Sequence, residues 1–303
     1  MARIPKAIPL VDPYAEMQSE GALFRKRVEA RRNGKHKPSK LPPLGEPASR
    51  ASTRYLVIGD GHAHPSDKET GWAARWTWLG KMIVSKAPDV VVNIGDMFDA
   101  PSLHQIERGA RKAKWEGFDS LAVDLEALWD GLERLGNAIA KGKSQPQLVC
   151  TLGNHEERLL RLLAHFEILA GLIEMDDLRY REHGWLSFPY EQRIEIGVSS
   201  FSHIFPGGAS VTGPRGVVTR KPETSIRVYG HTHRLGVYCY GSQWQAAAMN
   251  CGMFAPPDSP AFRYAPSYRS EWSGGILEFE ASEETGLGSW GWTPLEEIRR
   301  RWG

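Results

Sequence analysis

The order of apolar segments predicts a layered fold of strands and helices, α/β (or α+β) in class, and three observations support that expectation. Short apolar runs bounded by glycine alternate with helix-period stretches from Arg54 to about residue 171. After residue 184 the pattern turns β-rich. The chain has 303 residues, 41% hydrophobic and 24% charged, which is an ordinary composition able to bury a full core.

The elements follow in order. Tyr55-Leu56-Val57-Ile58, bounded by Gly59-Asp60-Gly61, reads as a strand buried on both faces. Residues 71–87 have helical character. Residues 89–94 give a second buried strand, ended by Gly95-Asp96. Residues 104–141 are largely helical, with Leu121, Leu125, Leu128, Leu132 and Leu135 recurring every three or four positions. Residues 148–152 form a third buried strand, ended by Gly153-Asn154, and 155–171 a further helix carrying Leu159, Leu160, Leu163 and Phe166. Candidate strands then cover 193–203, 225–230, 234–240, 244–250 and 274–280.

The ends differ in composition. Residues 14–32 have the pattern of a short basic helix, and 33–53 hold Pro38, Pro42, Pro43 and Pro47, which makes a linker. Three parts result: a basic arm with its linker over 1–53, a globular domain over 54–282, and a Trp- and Arg-rich tail over 283–303 that either packs on the body or binds a partner. Residues 1–54 contain 12 Lys and Arg against 5 Asp and Glu, a net of +7, whereas the rest of the chain nets −5. Such an arm is either a solvated tail or a handle for a polyanion such as DNA or RNA, through counterion release.

Some classes are excluded. No run approaches the roughly 18 residues that a membrane helix needs. No apolar signal core follows Met1–Lys6, and the three cysteines, Cys150, Cys239 and Cys251, are too few and too scattered for a disulfide framework or a cysteine zinc site. The expectation is a cytoplasmic protein with no membrane partner. Oligomeric state is not readable.

The chemistry gathers where strands end. Gly59-Asp60-Gly61-His62, Gly95-Asp96 and Gly153-Asn154-His155-Glu156 follow the first three strands, and Ser202-His203 and Gly230-His231-Thr232-His233 follow two later ones. In α/β sheets, sites form beyond the carboxyl ends of strands. Asp60, His62, Asp96, Asn154, His203, His231 and His233 thus converge as metal-type ligands. Mixed imidazole and carboxylate donors suit transition metals, with manganese foremost and iron, zinc or nickel compatible. Seven donors exceed what one ion needs, whereas two ions sharing a bridging carboxylate would use them all. Such a pair, roughly 3.5–4 Å apart, polarises a phosphoryl group and supplies a bridging hydroxide for in-line attack.

The ordered set of motifs resembles the calcineurin-like metallophosphoesterases over residues 54 to about 252. The resemblance implies a four-layer αββα sandwich with mixed β-sheets. It implies that Asp60, His62 and His233 hold one metal, that Asn154, His203 and His231 hold the other, and that Asp96 bridges them. His155 would contact the phosphate and protonate the leaving oxygen, and Asn154 would also orient the phosphate. The activity implied is metal-dependent hydrolysis of phosphate esters. The arm favours a nuclease-like phosphodiesterase acting on nucleic acid or nucleotides. Phosphomonoesterase or protein phosphatase activity is the alternative within the family. A metal-stabilised scaffold without chemistry, or a nucleic-acid-binding protein, is the alternative of another class.

Several residues have two readings. Asp99 either orients His155 or caps a helix start before Pro101. Glu156 suits either role, or the first-turn dipole of its helix. His64 either touches substrate or is a solvated loop residue; His104 and His165 belong to surface or packing. Trp72, Trp76 and Trp78 either stack on a base or pack as core. Loop 205–224, with Arg215, Arg220 and Lys221, either binds substrate phosphates or is solvated. Cys150 and Cys251 are small buried residues.

Overall fold

The computed structural model describes residues 52–103, 117–143, 145–166, 171, 173–205, 213–215, 217, 226–240, 246–256, 258–262 and 269–303. Residues 1–51, which carry the arm and nearly all of its linker, lie outside the described residues, as do His104, Arg220 and Lys221.

Two mixed sheets stack face to face. The first has the order β11-β10-β1-β2-β3-β4, with β1 Thr53–Ile58, β2 Val90–Asn93, β3 Gln147–Thr151, β4 Leu186–Phe188, β10 Gly275–Ser282 and β11 Gly286–Pro294. Strands β1 to β4 pair in parallel; β10 and β11 join antiparallel. The second has the order β5-β6-β7-β9-β8, with β5 Ile194–Ile196, β6 Ser199–Phe201, β7 Ile226–Tyr229, β8 Leu235–Tyr240 and β9 Ala246–Cys251. Each glycine-bounded apolar run is a central strand, because only a position covered on both faces accommodates uninterrupted Val and Ile.

Alternation along β1 decides the layers. Tyr55 and Val57 point between the sheets, where they meet Phe201, Val228 and Met249. Leu56 and Ile58 point outward, into a core shared with helices α1 (Arg75–Lys86), α2 (Gly117–Ile139) and α3 (Asn154–His165). The leucine ladder of α2 faces Trp76, Leu79 and Met82 of α1 in that core. Trp76 is core, while Trp72 and Trp78 meet edge to face beside it, so the three tryptophans pack rather than form an open stacking platform. The outer face of the second sheet packs Tyr229, Ala246 and Ala248 against Phe205 and Val217, from a connection most of which lies outside the described residues.

The stretch 283–303 is built into this body. Strand β11 pairs along β10, and Pro294 leads into α4 (Leu295–Trp302). Leu295 and Ile298 are buried in the helix-side core, and the Arg299 guanidinium lies over the rings of Trp72 and Trp78. Acidic residues begin α4 and arginines end it, as the helix dipole favours, with Glu297 paired to Arg300 and Arg301. Among the described residues no helix is long and apolar enough to cross a membrane.

Because Ile298 is fully buried and Arg300 is exposed, Ile298→Ala should destabilise the fold by about 2–5 kcal/mol and Arg300→Ala by less than about 0.5. Urea unfolding of the two variants checks this. Equal and small effects would show that α4 is dispensable.

Candidate metal centre at the strand ends

Five strand ends deliver the candidate ligands to one edge of the two sheets. Asp60 follows β1, Asp96 follows β2, and Asn154 opens α3 after β3; His203 follows β6, while His231 and His233 follow β7. The turns that aim them are tight. His62, Asp96, His231 and His233 hold φ of +42°, +49°, +68° and +60°, a left-handed region that side chains rarely occupy. Close approach also needs glycine beside them. A Cβ on Gly153 would stand 2.1 Å from Asp96 Oδ1, and one on Gly230 would stand 2.4 Å from Asp60 Oδ1.

The donors form two adjoining groups. The donor atoms of Asp60, His62 and His233 all lie within 4.8 Å of one another, and so do those of Asp96, His203 and His231. Asn154 Oδ1 joins the second group, 3.0 Å from His203 Nε2 and 2.8 Å from His231 Nδ1. A backbone bond stitches the groups together: the His231 N–H donates to Asp60 Oδ1 at 3.0 Å. All seven ligands expected from the sequence are therefore gathered at one edge.

Hydrogen bonds fix which nitrogens are available to a cation. His62 Nδ1 donates to Asp99 Oδ1 at 2.7 Å, and His203 Nδ1 donates to the Ile94 carbonyl at 2.9 Å. In the neutral ring each Nε2 then carries a lone pair. The lone pair of His203 Nε2 faces acceptors, Asn154 Oδ1 and Asp96 Oδ2, the latter at 3.4 Å. Asp60 Oδ2 is buried and lacks a well-aligned hydrogen bond, although His233 Nε2 lies 3.0 Å away. Acceptors converging on acceptors in a buried site fit a bound cation.

The electrostatics agree. Burial, reinforced by the charges of Asp60 and Glu156 and opposed by His203, pushes Asp96 up to about 8. Burial acts the same way on Asp60, but the contact with and charge of His233, with His203 and His62 beyond, outweigh it and hold that carboxyl low. Burial and the neighbouring His203 bring His231 down to about 4. Two buried carboxylates of opposed titration, faced by the imidazoles of His203, His231 and His233, make a site that stabilises divalent cations.

Behind the ligands stand residues whose roles the sequence did not reveal. Glu156 is fully buried and accepts from the backbone N–H groups of Gly153, Asp96 and Phe98 and from the Tyr180 hydroxyl, at 2.7–3.0 Å. Its carboxylate thus ties the β2 and β3 turns together, while also receiving the N-terminus of α3. Arg75, equally buried, donates to the carbonyls of Gly61, His62, Trp72 and Phe254 and to Asp67. It clamps the turn that carries His62. An arginine inside an otherwise apolar helix face was the available signal.

His155, 6% exposed, begins α3 beside the second group, its N–H donating to Asp96 Oδ1 at 2.9 Å. Burial, His62 and Arg158 hold its imidazole well below the ordinary value. His64 sits at the rim, its Nδ1 with Ser66 Oγ at 2.8 Å and its Nε2 3.9 Å from Asp99 Oδ2. His165, at the exposed end of α3, is away from the site, and Cys150 and Cys251 are buried thiols raised by burial.

Two sheets with His, Asp and Asn donors at their shared edge define a metal-dependent hydrolase of phosphate esters once the family is added. Residues 53–235 match the model of the calcineurin-like phosphoesterases, and the chain belongs to that family. Among solved structures, it is similar to YfcE, a phosphoesterase from E. coli, at 14% identity, covering 78% of this chain and 98% of that one, with a TM-score of 0.33. No curated protein matches the sequence.

Removing the Glu156 charge leaves donors without a full acceptor. Glu156→Gln should therefore cost about 2–3 kcal/mol of stability and weaken divalent-metal binding, read by thermal unfolding and by titration with Mn²⁺. Unchanged values in both would show that the turns hold without it.

Proposed function

We propose that this chain is a two-metal phosphodiesterase acting on nucleic acid or nucleotides. The observation that carries the reading is the pair of donor groups sharing one seam, with Asn154 reaching two imidazoles of the second group. Asp60, His62 and His233 would hold one cation, Asn154, His203 and His231 the other, and Asp96 would bridge them. Mixed oxygen and imidazole donors suit manganese first, with iron, zinc or nickel also compatible. When bound, such a pair supplies Lewis acidity that polarises a phosphoryl oxygen and lowers the pKa of water.

The chain's own residues do the rest. Asn154, on the first turn of α3, has its oxygen facing the second group, and its amide nitrogen would orient a phosphate. His155 presents Nε2 toward the same space, 3.8 Å from Asp96 Oδ2. A phosphate anion bound beside it raises the basicity of that imidazole and so opposes the effect of burial, letting Nε2–H donate to the leaving oxygen. The net +7 of residues 1–54 supports a polyanionic substrate over a small ester.

Replacing a direct ligand should cost more than the roughly 10–100-fold typical of an outer partner. Asp96→Asn and His231→Ala should each lower kcat/KM on an aryl phosphate diester by more than about a hundredfold. Full activity in either overturns the metal assignment. Activity confined to monoesters or phosphopeptides in a metal-by-substrate matrix replaces the diester reading with the monoesterase or protein-phosphatase one.

Deleting residues 1–50 tests the substrate. Cleavage of DNA or RNA should fall at least tenfold at physiological salt while hydrolysis of a small diester is unchanged. An equal effect on both, or none, removes the arm as substrate handle.

A further inference from the structure

We infer that the Asp99 side chain positions the metal-facing imidazole of His62, and that His155 is oriented instead by the Asp99 backbone carbonyl. This inference rests on the two-metal reading. One residue would thus serve two histidines through two different groups.

The distances separate the roles. Asp99 Oδ1 lies 2.7 Å from His62 Nδ1, the length of a charge-assisted hydrogen bond, but 3.7 Å from His155 Nδ1, beyond one. His155 Nδ1 instead lies 2.6 Å from the Asp99 carbonyl oxygen. A carbonyl only accepts, so Nδ1 carries the hydrogen and Nε2 is left to face the phosphate. Arg158 Nη1, a donor only, lies 3.1 Å from that nitrogen and 3.4 Å from the same carbonyl; the 2.6 Å contact with the carbonyl is the shortest of the three and places the hydrogen on Nδ1.

Among the described residues, His62 is the nearest ionic partner of the carboxylate. Asp99 is 4% exposed, and its other oxygen, Oδ2, is 3.9 Å from His64 Nε2. His62, Asp99 and His155 also lie close enough together to be a ligand group of their own, but the Nδ1 hydrogens of both imidazoles are already spent on Asp99. The arrangement is instead a carboxylate behind an imidazole. It fixes the tautomer with Nε2 bare, sets the ring toward Asp60 and His233, and makes Nε2 a stronger donor to a cation. His62 needs this support because its backbone is held at φ +42°.

The role predicts a change in metal affinity that a role through His155 does not. Full-length protein would be stripped of metal and titrated calorimetrically with Mn²⁺ and Zn²⁺ for wild type, Asp99→Asn, His62→Ala and His155→Ala. Leaving-group dependence of kcat/KM would be read on the same proteins with a series of aryl phosphate diesters at saturating metal. Asp99→Asn should weaken one of two binding events by about 10–100-fold, as His62→Ala does more severely, and keep the wild-type leaving-group slope. His155→Ala should leave both binding events intact and steepen that slope. An Asp99→Asn protein with wild-type affinity, or one whose leaving-group slope matches that of His155→Ala, overturns the inference. If Asp99→Asn fails to fold, Asp99→Glu is read in the same way, with the same two outcomes. Failure of the wild-type protein to bind two ions would instead refute the two-metal reading itself, so the two failures are distinguishable.

Discussion

Holding several carboxylates together out of water is the constraint on which this structure turns. Asp60, Asp96, Asp99 and Glu156 are all buried, at the edge where five strands end. At low effective dielectric, like charges this close are costly, and each needs donors or cations to offset them. The chain answers in layers. Imidazoles face the inner carboxylates, backbone N–H groups face Glu156, and Asp99 shares itself between two histidines. The sheets matter because parallel strands leave their loops on one side, where these groups can be brought together without long excursions of chain.

The supporting tier is backbone rather than side chain. Arg75 grips the carbonyls of the turn after β1, and Glu156 grips the amides of the turns after β2 and β3. Between them these two buried charges fix three of the ligand-bearing turns to α1 and α3. Rigid helices on one side of the first sheet are thereby coupled to atoms on its edge. Helix α4 in turn braces α1 through Arg299 and the tryptophan pair.

Much of this was legible in the sequence because the signals were local. Apolar runs ending in Gly-Asp or Gly-Asn mark strand ends through composition alone, and the order of the motifs carried the family. The missed parts depend on contacts between distant residues. Arg75 breaks an apolar helix face, but its role shows only when its guanidinium is seen to meet four backbone carbonyls and the Asp67 carboxylate. Strand β11 was obscured by its glycines, which weaken the alternation, while α4 was legible in principle from Leu295, Ile298 and Trp302 with acids before arginines. Asp99 was read either as a partner of His155 or as a cap; spacing alone places a residue near both histidines but does not say which of its atoms reaches which ring. The helix boundaries shifted modestly, α3 ending at His165 rather than 171.

The left-handed turns carry a consequence for descent. His62, Asp96, His231 and His233 sit in the left-handed region that side chains adopt at a cost, so each chemical group is retained against a local backbone preference of about 1 kcal/mol. A lineage released from selection for hydrolysis would gain stability by letting those positions relax. Sheets and helices would persist while the reactive edge eroded, and a folded, inert relative would be the expected end point of such drift.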